Sequence, residues 1–210
     1  RDWSSDVCSS DLTDVVASPR QILRRQIKRL EEAGMKAFVG TELEFIVFNN
    51  TYEDAWDKRY RGLTPANQYN VDYSILGGSR IEPLLRKIRL GMAGAGMYVE
   101  SVKGECNFGQ HEIAFKYDEA LKTCDNHVIY KNGAKEIASD MGYALTFMAK
   151  YNEREGNSSH IHCSFRGLNG EMVLADDKDK EHGLSDVGRH FLAGMQAHLR
   201  ELSLMWAPTI

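Results

Sequence analysis

The sequence predicts an α+β domain built on a largely antiparallel sheet. Strand-like and helix-periodic segments intermix without the regular strand–helix–strand alternation of a parallel sheet. No glycine-rich phosphate loop follows the first strand. Length and composition allow a full core, since 210 residues with 42% apolar and 27% charged side chains are ordinary for a globular domain.

Taken in order, Ser18-Pro19-Arg20-Gln21 reads as an N-cap, a proline at the first helical position and a capping-box partner. Leu23, Ile27 and Leu30 then repeat on one helical face, and Gly34 supplies a stop. Residues 36–48 follow as a strand, with Leu43, Phe45 and Val47 on one face and Glu42, Glu44, Ile46 and Phe48 on the other. The polar stretch NNTYEDAWDKRYRGLTPANQYN reads as one long loop, and loops of that length usually serve function or move. Residues 81–93 are helix-periodic through Leu84, Leu85, Ile88 and Met92, and GAG ends the pattern. Strands near 97–105 and 109–116 precede a long helix at 118–141 closed by Gly142. Strands near 143–150 and 160–166 flank NEREGNSS, and a last helix at 185–206 carries Val187, Phe191, Met195, Leu199 and Leu202 on one stripe.

A formal charge of -4 points to neither nucleic-acid nor membrane electrostatics. No apolar run approaches the roughly 18 residues of a spanning helix. With no signal peptide, the expected compartment is cytoplasmic. The 4 cysteines form no CxxC pair, which argues against a zinc knuckle or a disulfide framework and fits a reducing compartment. Residues 1–12, RDWSSDVCSSDL, resemble a translated sequencing adapter; setting aside one positive and three negative charges there moves the formal charge from -4 to -2. The chain is expected to be a fragment, with residues 13–210 a partial domain.

Chemistry gathers in three segments. GTELEF brings Glu42 and Glu44, GECNFGQHE brings Glu105 and Glu112, and SHIHCSF sets His160, His162 and Ser164 on one strand face. Carboxylates facing a core need positive partners. Hard oxygen donors with a minority of imidazole suit Mg2+ or Mn2+ better than zinc. Each piece also has a plain structural reading: an ExE pair can be a solvated strand face, and Glu105 and Glu112 can be surface residues of a hairpin. The conjunction of the three, in this order, favours a metal site.

Together, GTELEF, GECNFGQHE and EGNSSHIHCS resemble the three active-site segments of the glutamine synthetase family, in order from about residue 15 to the last. The resemblance implies a truncated catalytic domain with a curved, largely antiparallel sheet, flanking helices and a two-metal site in a funnel. Glu44, Glu105 and Glu112 match the glutamates of the first metal, on the amino-acid side. Glu42 and His160 match ligands of the second, on the nucleotide side. His162 and Ser164 match positions near the nucleotide phosphates and base. Glu100 matches a nucleotide-contacting glutamate and Tyr117 an aromatic beside the adenine, although an ordinary strand residue and an ordinary core aromatic are the alternatives. Glu105, His160 and His162 carry the implied catalytic roles, and Glu155 and Gly156 match the loop that contacts the amino-acid substrate.

The implied reaction is ATP-dependent ligation of glutamate with ammonia or a primary amine through an acyl phosphate, with Mg2+ or Mn2+ as cofactors. The parent is expected to form stacked homo-oligomeric rings of dodecamer type; neither nucleic acid nor membrane is an expected partner. Glu155 stands where the family usually has asparagine, and Tyr151 where proline usually follows the loop lysine. The family's closing domain and substrate-binding arginines have no counterpart in this sequence, so the fragment alone is expected to be inactive. The loop changes favour an amine over ammonia, and a catalytically silent structural or regulatory subunit is the alternative.

Overall fold

The computed structural model describes residues 14–207. The adapter-like stretch 1–12 lies outside them.

Helix α1 (Pro19–Glu32) begins as its signals predict: Ser18 Oγ accepts from Gln21 N at 3.3 Å, with Pro19 in the first turn. The reciprocal half of the capping box is not made, because Ser18 N donates to Val15 O at 2.9 Å instead, while the Gln21 side chain donates to Asp14 Oδ1 at 2.8 Å. Strand β1 (Met35–Phe48) is the longest of the sheet. The expected single loop after it contains a short helix, α2 (Tyr52–Asp57), capped by Thr51 Oγ1 accepting from Asp54 N at 3.1 Å. Helices α3 (Ile75–Arg80) and α4 (Glu82–Gly94) lead into strands β2 (Val99–Gly104) and β3 (Gln110–Phe115). A two-residue strand β4 (Asp118–Glu119) precedes helix α5 (Ala120–Asp140). Strand β5 (Ala144–Thr146) is shorter than the apolar pattern suggests, and strand β6 (Ser159–Gly167) and helix α6 (Asp186–Trp206) complete the chain.

The six strands form one sheet in the order β2-β3-β1-β4, with β5 and β6 also pairing with β1. The β1–β3, β1–β5 and β2–β3 pairs are antiparallel, as expected for an α+β fold. No described helix is long and apolar enough to cross a membrane.

The described residues divide into two compact units. In one (14–38, 119–122 and 163–197), Phe165 stacks edge-on against Phe191 at 4.8 Å, Arg166 lies over the Phe38 ring at 4.9 Å, and Lys36 pairs with Glu119 at 3.4 Å. The other (39–118, 123–162 and 198–207) holds the main core. Leu43, Phe45 and Val47 of β1 and Ile113 of β3 meet Leu84, Leu85, Ile88 and Met92 of α4 and Tyr130, Ala134 and Ala138 of α5. Full burial of each large apolar side chain contributes about 1.5–3 kcal/mol, so this face of β1 has one stable orientation. Strand alternation then obliges Glu42 and Glu44 to share the opposite face.

Candidate metal centre

Cross-strand register builds the site. Glu44 stands directly opposite Glu112 on β3, which stands opposite Lys103 on β2. Ile46 is opposite Gln110. The hairpin joining β2 to β3 closes with Glu105 N donating to Gln110 O at 2.9 Å, which adds Glu105 to the same face. Gly109 takes the left-handed conformation there (φ 69°), and a Cβ on it would meet Val47 O at 2.5 Å. Only glycine fits both constraints.

Glu44, Glu105 and Glu112 each present an oxygen, and these oxygens all lie within 4.8 Å of one another. Glu112 is 3% exposed. Burial first, and then the neighbouring charges of Glu44 and Glu112, push the Glu105 carboxyl up to about 7. Glu112 Oε1 is buried without a well-directed hydrogen-bond donor, although Lys103 Nζ lies 2.9 Å away, so that contact is ionic rather than directional. Three convergent hard oxygens with one so placed suit a divalent cation such as Mg2+ or Mn2+.

A second group lies further along the same face of β1. Glu42 Oε1 is 3.3 Å from His162 Nε2 and Glu42 Oε2 is 3.5 Å from His160 Nδ1. Both imidazoles are well exposed, at 60% and 67% of their side-chain surface. Gly40, also on this face, leaves the sheet bare between Tyr117 and His162: a Cβ there would sit 3.5 Å and 3.9 Å from their Cβ atoms. A flat ring has room to lie on such a floor beside the half-exposed Tyr117.

An amide network joins the first group to loop 150–158. Gln110, 1% exposed, directs Nε2 at Glu44 Oε2 (2.7 Å), Gly156 O (2.9 Å) and Asn157 Oδ1 (3.0 Å). Asn107 Nδ2 donates to Glu155 O at 2.6 Å and to Asn152 Oδ1 at 3.0 Å. Ser158 donates to Glu44 through N at 2.8 Å and Oγ at 2.6 Å. Gly156 is required because a Cβ would meet Ala149 O at 2.4 Å. Glu155 itself is exposed. Tyr151, where the family usually has proline, packs edge-on against Phe48 at 4.9 Å.

The structure thus brings together Glu44, Glu105 and Glu112 in one cluster and Glu42, His160 and His162 in another. Glu100 sits at the irregularity where the β2–β3 register shifts between Val99 and Ser101, and is exposed. Ser164 lies on β6 beyond the division after His162, in the other unit. Sequence reasoning missed Lys103, Gln110 and Ser158. The signal for the first two was the strand period: each stands two residues before a predicted glutamate, on the same face. The positive and hydrogen-bonding partners that core-facing carboxylates need are present in part, since Lys103 and the donors of Gln110 and Ser158 meet Glu112 and Glu44.

Residues 16–210 match the family model described as glutamine synthetase, catalytic domain. The γ-glutamylethanolamide synthetase GlnA4 of Streptomyces coelicolor is 64% identical over 98% of this chain and 44% of its own length. The glutamate–isopropylamine ligase of a Pseudomonas species is 38% identical over 92% of this chain and 42% of its own. Ligand-free GmaS has a similar structure, with a TM-score of 0.82 and 26% identity, covering 95% of this chain and 46% of that one. The chain therefore spans under half the length of the relatives it matches.

Proposed function

This chain belongs to the glutamine synthetase family, and from that premise we propose that it supplies the metal- and nucleotide-binding face of an ATP-dependent ligase joining glutamate to a primary amine. One observation carries the reading: Glu44, Glu105 and Glu112 converge on the face that also bears Glu42, His160 and His162. The names of two relatives point to an amine as acceptor, and ethanolamine is the first to test because the relative with 64% identity is named for it.

Bound at the two groups, Mg2+ or Mn2+ would neutralise the crowded oxygens of nucleotide and substrate and hold them in line. Glu44, Glu105 and Glu112 would hold the first ion; Glu42 and His160 would hold the second. His162 is set to donate toward a transferring phosphoryl group. Tyr117 and bare Gly40 offer a surface for the base, and Glu100 belongs to the same nucleotide reading. The backbone of loop 155–156, fixed by Asn107 and Gln110, is the expected contact for the glutamate substrate. In the reaction, the γ-carboxylate oxygen of glutamate attacks the terminal phosphorus of ATP and ADP leaves. The amine nitrogen then attacks the acyl carbon, phosphate leaves with the C–O bond pair, and the nitrogen gives up a proton.

The test is phosphate release by the full-length protein carrying this sequence, given ATP, glutamate, Mg2+ and a panel of amines including ethanolamine and ammonia. Turnover with at least one amine, abolished by Glu105→Ala, is the expected result. Folded, Mn2+-loaded protein that turns over none of them would sink the proposal.

A further inference from the structure

Three carboxylates gathered in a half-buried space would repel one another in metal-free protein. The cation that meets them is Lys103. Its Nζ lies 2.9 Å from Glu112 Oε1 and 3.8 Å from Glu105 Oε1. Position follows from register, because Lys103 is directly opposite Glu112 on the neighbouring strand. The side chain is 26% exposed, against 4% for that of Glu112, so the ammonium approaches the buried oxygen from the solvent side.

A divalent ion held by the same oxygens would sit a few ångströms from this ammonium, and like charges at that distance in a partly buried site oppose each other strongly. One of the two has to give way. Lys103 has somewhere to go: its Nζ is already 5.4 Å from the centre of the Tyr73 ring, a distance at which an aromatic face holds an ammonium. Tyr73 is 69% exposed. Its backbone takes a left-handed conformation (φ 53°) that bulky residues rarely adopt, and its N donates to Gly104 O at 3.0 Å, next to Lys103. The backbone of Tyr73 is thus tied beside the lysine that its ring would receive.

We infer that Lys103 is a tethered, displaceable counter-ion of the first metal site: it neutralises the glutamates while the ion is absent and swings toward Tyr73 when the ion enters. This deepens the proposed function and rests on its assignment of Glu44, Glu105 and Glu112 as metal ligands. The consequence is a first-site affinity set by competition between a lysine on the chain and the ion in solution. It also gives a metal-free site that stays folded rather than bursting apart.

The experiment compares Mn2+ binding to metal-stripped full chain by calorimetry for the wild type, Lys103→Met, Lys103→Arg and Glu105→Ala. Lys103→Met is expected to bind at least about tenfold more tightly than wild type, with Lys103→Arg staying near wild type. Its thermal midpoint is expected to fall in the metal-free form and recover when Mn2+ is added. Equal or weaker binding by Lys103→Met, with equal loss of midpoint in both forms, would make Lys103 merely structural and overturn the inference. A second measurement needs no variant: reductive methylation of Lys103, read by mass spectrometry, should rise when Mg2+ is added. Labelling unmoved by saturating Mg2+ would overturn it too. Glu105→Ala binding Mn2+ like wild type would instead sink the metal-site reading beneath it, so the two failures are distinct.

Discussion

Glu44 and Glu42 stand two residues apart on one face of β1, yet their surroundings differ. Glu44 receives three hydrogen bonds from Gln110 and Ser158, while its neighbours Glu105 and Glu112 share Lys103. Among the described residues, Glu42 meets looser contacts with two exposed imidazoles, at 3.3 and 3.5 Å. Burial explains the contrast. A carboxylate withdrawn from water costs several kcal/mol unless donors or cations replace the lost solvation, so the inner cluster had to be built with its partners. The outer cluster keeps water and needs none. An inner site organised in advance should hold an ion by itself. An outer site open to solvent should gain affinity only when a bound nucleotide adds ligands of its own.

The sharpest way to break this contrast is to delete one carboxylate from each cluster. Glu112→Ala is expected to weaken Mn2+ binding in the absence of nucleotide by about a hundredfold or more. Glu42→Ala should change it by less than about threefold and show its effect only once ATP is present. Calorimetry with and without nucleotide measures both; equal losses without nucleotide would erase the distinction between the clusters.

A smaller effect is expected at Gln110, which touches Glu44 and holds the loop at Gly156. Gln110→Ala should cost about tenfold in first-site affinity and about 2 kcal/mol of stability, because it leaves buried acceptors unpaired. Gln110→Glu puts a charge beside Glu44 and is expected to be worse for stability in metal-free protein. A denaturant melt of both variants, with and without Mn2+, decides it; unchanged stability would mean that loop 150–158 is held by other contacts.

The gentlest probe is pH. The Glu105 carboxyl sits at about 7 in metal-free protein, whereas an ion requires it ionised. Mn2+ binding should therefore release close to one proton below that value and almost none above pH 8, with affinity falling up to about tenfold per unit as pH drops below neutral. Glu42 →Ala leaves this proton release intact, and Glu105→Ala abolishes it. Calorimetry in buffers of different ionisation enthalpy reads the proton count directly.

Much of this was legible locally. The period of two along β1 told which side chains face the core and which carry carboxylates, and the helix signals at Ser18-Pro19 and the stripe of Leu84, Leu85, Ile88 and Met92 marked elements that form as expected. The residues around 49–74 were harder, because Thr51 and Ser74 cap helices of only six residues, too short for periodicity to reveal. Likewise Glu105 and Glu112 carried no sign of burial, since a hairpin with charged residues reads equally well as surface.

What the sequence determined by itself was membership of faces: strand alternation is a property of the backbone, so Glu42 and Glu44, and His160 and His162, had to share sides wherever the strands went. Which of them would be partnered was decided by tertiary structure. Lys103 reaches Glu112 only because β2 pairs with β3 in one particular register, and Gln110 reaches Gly156 across 46 residues only because loop 150–158 returns over the sheet. Charge and hydrogen-bond partners are set by distances in space, and distances between strands are fixed when they pair, not when their residues are written.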